Sequence, residues 1–189
     1  MKKLLLLLFL VSLSSLAFAT TITIDFEQYA SYTQITNQYA GVNFTNALQL
    51  VAPYYDYFDY PPHSGNGVIT NDPNDPIQIN FTDPTVRIHS FGAWYTDPDG
   101  IVVSVYSIYG GLLGTFTAPG VIGANDGFTV TSALGVGWFT IGDSGGIADN
   151  LTVDDLSYTP VPVPEPSSLV LLGSGAVGLA GMLRRRFTR

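Results

Sequence analysis

Thr21-Ile22-Thr23-Ile24-Asp25-Phe26 alternates without a break: Ile22, Ile24 and Phe26 fall on one face, Thr21, Thr23 and Asp25 on the other. A period of two built from β-branched and aromatic residues is the pattern of a strand with one face on a core. The same alternation returns in Ile77-Gln78-Ile79-Asn80-Phe81, at Val86 and Ile88, and at Val103 and Val105 within residues 101–108. Residues 41–45, 48–51, 91–95, 112–117, 128–130, 138–141 and 151–158 are further candidate strands. Turn-forming clusters separate them: Ser64-Gly65-Asn66-Gly67, the 71–76 stretch, Asp97-Pro98-Asp99-Gly100, Tyr109-Gly110-Gly111 and Asn125-Asp126-Gly127. No ten-residue stretch between 20 and 159 keeps a helical period. About ten short strands with regularly spaced turns predict an all-β fold, an antiparallel jelly-roll-type β-sandwich, with an immunoglobulin-like sandwich as the alternative.

The two ends of the 189-residue chain are not part of this pattern. Met1-Lys2-Lys3, the apolar residues 4–13 and Ala17-Phe18-Ala19 have the charge, apolar run and small-x-small site of a secretory signal peptide over residues 1–19. One domain, residues 20–159, follows. It holds thirteen aspartates, Glu27 and one basic residue, Arg87, so it repels nucleic acid and anionic lipid and suits hard cations, or is acidic for solubility alone. The absence of cysteine excludes disulfides, thiol chemistry and cysteine-based metal sites.

Within the domain the most informative local feature is Asp154-Asp155. Leu151 and Val153 share one parity and Leu156 and Tyr158 the other, so the apolar phase slips by one at the aspartates, as a β-bulge requires. First and last strands lie together in a jelly roll, which would bring Asp25 or Glu27 to Asp154 or Asp155. Such carboxylates with backbone carbonyls form a candidate structural calcium site; the alternative is that Asp155 ends pairing at a sheet edge. In the proline-bounded 54–63 loop, Tyr54, Tyr55, Tyr57 and Tyr60 stand among Asp56 and Asp59. Aromatic faces stack on sugars and carboxylates accept hydroxyl protons, so these tyrosines are candidate glycan-binding residues, or else packing along the sandwich edge.

Gly142-Asp143-Ser144-Gly145-Gly146 matches the nucleophile string of trypsin-like proteases. His63 and His89 lack the matching context, so no catalytic residue is assigned and a hydrolase is the least favoured reading. The two histidines also lack zinc-ligand spacing.

Beyond the domain, Pro160, Pro162, Pro164 and Pro166 form a stiff linker over 160–168 that denies the chain strand or helix hydrogen bonds. Residues 169–183 are apolar and rich in glycine, and Arg184, Arg185 and Arg186 follow, which predicts a membrane helix with its C-terminal end in the cytoplasm. As a helix these fifteen residues rise about 23 Å, short of the ~30 Å hydrocarbon core, so 169–189 makes a marginal permanent anchor.

Val163-Pro164-Glu165-Pro166, the short glycine-rich span and the arginine cluster together resemble the PEP-CTERM sorting signal of Gram-negative bacteria that make exopolysaccharide. A tail of this kind is also catalogued as an ice-binding-protein C-terminal domain, a label that carries no implication of ice binding. The resemblance implies export, a transient stop in the inner membrane, recognition and cleavage by exosortase, and delivery to the cell surface or extracellular matrix. Ile24-Asp25-Phe26-Glu27, Tyr39-Ala40-Gly41-Val42-Asn43-Phe44, the 106–115 segment and Val153-Asp154-Asp155-Leu156-Ser157-Tyr158 resemble carbohydrate-binding-module-like sandwiches, which implies a structural calcium near Asp155. The expectation is therefore an exported protein without enzymatic activity, with exopolysaccharide binding as the alternative.

Overall fold

The structure, a computed structural model, describes residues 20–71, 75–84, 86–145, 151–162, 173–175 and 177–178. Eleven strands are formed: β1 (Ile22–Ile24), β2 (Gln34–Ile35), β3 (Val42–Thr45), β4 (Ala47–Val51), β5 (Gly67–Asn71), β6 (Ile77–Phe81), β7 (Val86–Asp97), β8 (Ile101–Ser107), β9 (Leu112–Ala118), β10 (Val121–Asp143) and β11 (Thr152–Pro162). All their pairings are antiparallel. One layer runs β2-β4-β5-β11-β7 and ends on the first half of β10; the other runs β3-β6, the second half of β10, β8 and β9. The long β10 passes between layers, and its register on β7 breaks between Thr131 and Val136. The first strand, β1, lies on the last, β11, through Ile24 and Leu156. The chain thus forms the expected antiparallel β-sandwich.

Alternation explains most of the layering, because most inward residues are apolar; in β4 the fully buried inward residue is Gln49, whose amide donates to the Phe26 carbonyl. Phe91 of β7 stacks on Phe139 of β10 with ring centroids 4.0 Å apart, and Tyr158 of β11 meets Phe81 of β6 at 5.1 Å, so these pairs close the two layers on each other. At one end Phe26, Tyr39 and Phe44 pack edge to face.

Three readings of the sequence change. Asn125-Asp126-Gly127, expected as a turn, lies inside β10; Gly127 pairs with Trp94, and a Cβ there would sit 3.3 Å from the indole, so this glycine makes room for a ring. Strand β5 was hidden because Gly67, Val68, Ile69 and Asn71 are all buried, and a strand covered on both faces shows no alternation. The expected linker begins inside β11: Pro160 pairs with Ile88 and Pro162 with Val86. Prolines at every second position lack N–H groups on one side of the strand only, which leaves Thr159 and Val161 able to donate on the other.

The signal segment 1–19 lies outside the described residues, as do the motif residues Val163, Pro164, Glu165 and Pro166, Arg184, Arg185 and Arg186, and most of the apolar span. Residues 173–175 and 177–178 are helical. Among the described residues no helix is long and apolar enough to cross a membrane.

Candidate functional site

The bulge inferred from the apolar phase is present. The β11–β7 register shifts between Asp154 and Ser157, and Asp155 takes a left-handed φ of 46°. The slip turns both carboxylates toward the loop that enters β5. Asp154 accepts from the Ser64 N–H at 2.9 Å and the Asp155 N–H at 2.6 Å. Asp155 accepts from the Ser64 hydroxyl at 3.0 Å, and its other oxygen lies 2.6 Å from His63 Nδ1. From β1's side, Glu27 accepts from the N–H groups of Asn66 and Gly67 at 2.8 and 2.7 Å. Three carboxylates therefore clamp the 63–67 loop. Burial raises the Asp154 pKa to about 6 against the Ser64 N–H that lowers it, with Asp155 adding to the rise.

The structure brings Glu27, Asp154 and Asp155 to one loop, whereas Asp25 is exposed and accepts from the Glu27 N–H at 3.3 Å. As arranged, these residues do not fit a hard cation. Five carboxylate oxygens already face N–H, O–H or imidazole groups, and among the described residues no three His, Cys, Asp or Glu side chains are placed to hold a metal.

Sequence reasoning missed the partner that completes the clamp. His63 stacks on Trp94 at 3.8 Å and 7°, and a Cβ on Gly127 would lie 3.3 Å from the same indole, which stays 37% exposed. Beside it runs a groove of about 300 Å³ lined by Asp126, Thr129, Asp155 and Ser157. No local signal links His63 to Trp94, because the contact exists only once β5, β11 and β7 are side by side.

The four tyrosines of the aromatic loop are unequally exposed. Tyr54 is 68% exposed, whereas the Tyr55 hydroxyl is buried without a partner, its pKa raised by burial and then by Asp154 and Glu27. Tyr57 stacks on Phe58, itself 74% exposed, with centroids 4.4 Å apart. Burial also raises the Tyr60 pKa, with Asp59 and Asp97 nearby. The outward aromatics of the loop are thus Tyr54 and Phe58.

The protease-like string is structural in its described part. Ser144 donates its hydroxyl to the Asp99 carbonyl at 2.6 Å, while His63 is held by Asp155 and His89 faces the Ser132 carbonyl at 2.7 Å. Among the described residues Ser144 has no histidine base.

This architecture is that of a two-layer β-sandwich domain. The chain is similar to the K2 cleaved adhesin domain of Lys-gingipain, with a TM-score of 0.53 at 15% identity over 74% of this chain and 99% of that one, a likeness of fold. The K1 cleaved adhesin domain of Lys-gingipain from Porphyromonas gingivalis gives 0.49 at 12% identity, covering 74% and 97%, and a family 29 carbohydrate-binding module gives 0.45 at 10%, covering 76% and 90%. No curated protein matches the sequence. Residues 162–186 match the PEP-CTERM protein-sorting motif. The chain therefore carries the C-terminal sorting signal of an exported protein of the exosortase route.

Proposed function

We propose that this protein is a non-catalytic component of the cell surface or extracellular matrix, held briefly in the inner membrane by residues 169–189 and cleaved by exosortase near Glu165-Pro166. The observation that carries the reading is the position of the sorting motif, which starts at Pro162, the residue on which β11 ends. The folded domain thus runs straight into its address. A cysteine-free domain with one basic residue fits an exterior setting, and the hydroxyl of the one protease-like serine is spent on a carbonyl. Mass spectrometry of the mature protein from a host that carries exosortase tests the proposal. The expected C-terminus lies close to Glu165; a product that still ends in Phe187-Thr188-Arg189 refutes processing and leaves a membrane-anchored protein.

A second reading is favoured by the exposure of Tyr54 and Phe58: the aromatic loop contacts exopolysaccharide around the exported domain. Glycan-array binding that survives their joint replacement by alanine removes it.

A further inference from the structure

The two outer faces of the sandwich differ in charge. Asp126, Asp155 and His63 stand on the outer side of the first layer, with Asp154 buried beneath the 63–67 loop. On the second layer, the register sets Asn43, Asn80, Trp138 and Tyr106 side by side across β3, β6, β10 and β8. The next row is Thr45, Gln78, Thr140, Ser104 and Thr115, reaching β9. The residues that alternate with them, Phe44, Ile79, Phe139 and Val105, are buried in the core, so both rows face outward. Neither row carries a charge, although the domain has thirteen aspartates to place.

The rows also hold a built feature. Trp138 and Tyr106 stack with centroids 3.7 Å apart and planes 6° from parallel, both half-buried, and Gln78 Nε2 donates to Asn80 Oδ1 at 3.0 Å. Trp94, 37% exposed, is stacked by His63 on the first layer, whereas the half-buried Trp138 stands among the uncharged rows with Tyr106 stacked on it.

A surface of amides and hydroxyls around an aromatic pair offers donors, acceptors and a platform for C–H faces without selecting for charge. That is the chemistry of a neutral, polyhydroxylated chain. A protein partner would call for a larger apolar or arginine-rich centre, which these rows lack. Five strands about 4.8 Å apart give the rows a length of about 20 Å, room for several sugar units.

We propose that the outer face of the β3-β6-β10-β8-β9 layer is a docking surface for a neutral polysaccharide chain, with the Trp138–Tyr106 stack as its apolar platform and Asn43, Asn80 and Gln78 as its hydrogen-bonding groups. The site needs nothing from Tyr54 or Phe58 and goes beyond the loop reading. It also stands apart from sorting, since binding and C-terminal processing are read independently.

Affinity electrophoresis tests it, using the full chain in a sugar-free detergent in gels containing hydroxyethylcellulose, dextran or galactomannan, with alginate as the anionic control. The expected result is retardation by at least one neutral polymer and none by alginate. Trp138→Ala and Asn80→Asp each weaken retardation about tenfold or more, while Tyr54→Ala/Phe58→Ala migrates like the parent. Asn80→Asp keeps the side-chain size on an outward position, so it decides the matter should Trp138→Ala fail to fold. No retardation by any neutral polymer overturns the proposal, as does full retardation of the folded face variants. Loss confined to Tyr54→Ala/Phe58→Ala overturns it in favour of the loop.

Discussion

Asp97 is fully buried at the end of β7. One oxygen accepts from the N–H groups of Asp99 and Gly100, each at 2.9 Å, and closes the turn into β8; the other oxygen is buried without a partner. Burial pushes its pKa up to about 6, with Asp143 and Asp99 adding to the rise against the two N–H groups. A carboxyl whose folded pKa exceeds its unfolded value of about 3.9 binds its proton more tightly when folded, so stability falls as pH rises between about 4 and about 6. Above that window the cost of the buried charge is complete. Asp97→Asn keeps the acceptor that closes the turn and removes the charge. It should therefore raise stability at pH 8 by about 1–3 kcal/mol and flatten the slope between pH 4 and pH 6. Chemical denaturation at pH 5 and pH 8 checks this, and a variant less stable than the parent at pH 8 would contradict it. The Asp154-Asp155 bulge was legible in sequence because a slip of parity is a local pattern. The burial of Asp97 was not, because it depends on what packs over the turn.

At the scale of elements, the 63–67 loop behaves as a strap between β1 and β11, fastened by Glu27 on one side and by Asp154 and Asp155 on the other. Hydrogen-bond donors satisfy these carboxylates, so calcium and chelator should leave the thermal midpoint unchanged. A rise on adding calcium would show that a cation displaces the N–H groups. Asp155→Ala removes the acceptor of His63 and of the Ser64 hydroxyl and puts alanine at a left-handed position. A loss of about 1–2 kcal/mol is expected, together with faster proteolysis within 61–67. Parent-like cleavage there would show that the strap is held by other contacts. The elements misread from sequence fail for stated reasons: β5 lacks alternation because it is covered on both faces, and Gly127 imitates a turn while serving the Trp94 ring.

At the scale of the whole molecule, β11 joins the exported domain to its sorting signal through Pro160 and Pro162 without an intervening loop. In the membrane orientation proposed for the tail, the fixing charge is that of Arg184, Arg185 and Arg186. Their joint replacement by glutamate should make the precursor accumulate with its C-terminus intact in an exosortase-bearing host. Immunodetection of a C-terminal tag follows the outcome, and normal processing would show that the arginines are dispensable. The sequence by itself determined the C-terminal sorting motif and the β class, because proline spacing, an arginine cluster and a period of two are all written in adjacent residues. Only the tertiary structure decided which carboxylates became a clamp, which tyrosines turned inward, and that Asn43, Asn80, Trp138 and Tyr106 form one uncharged row. Those relations join residues from different strands, and pairing between distant strands is fixed by how the two layers close on a shared core.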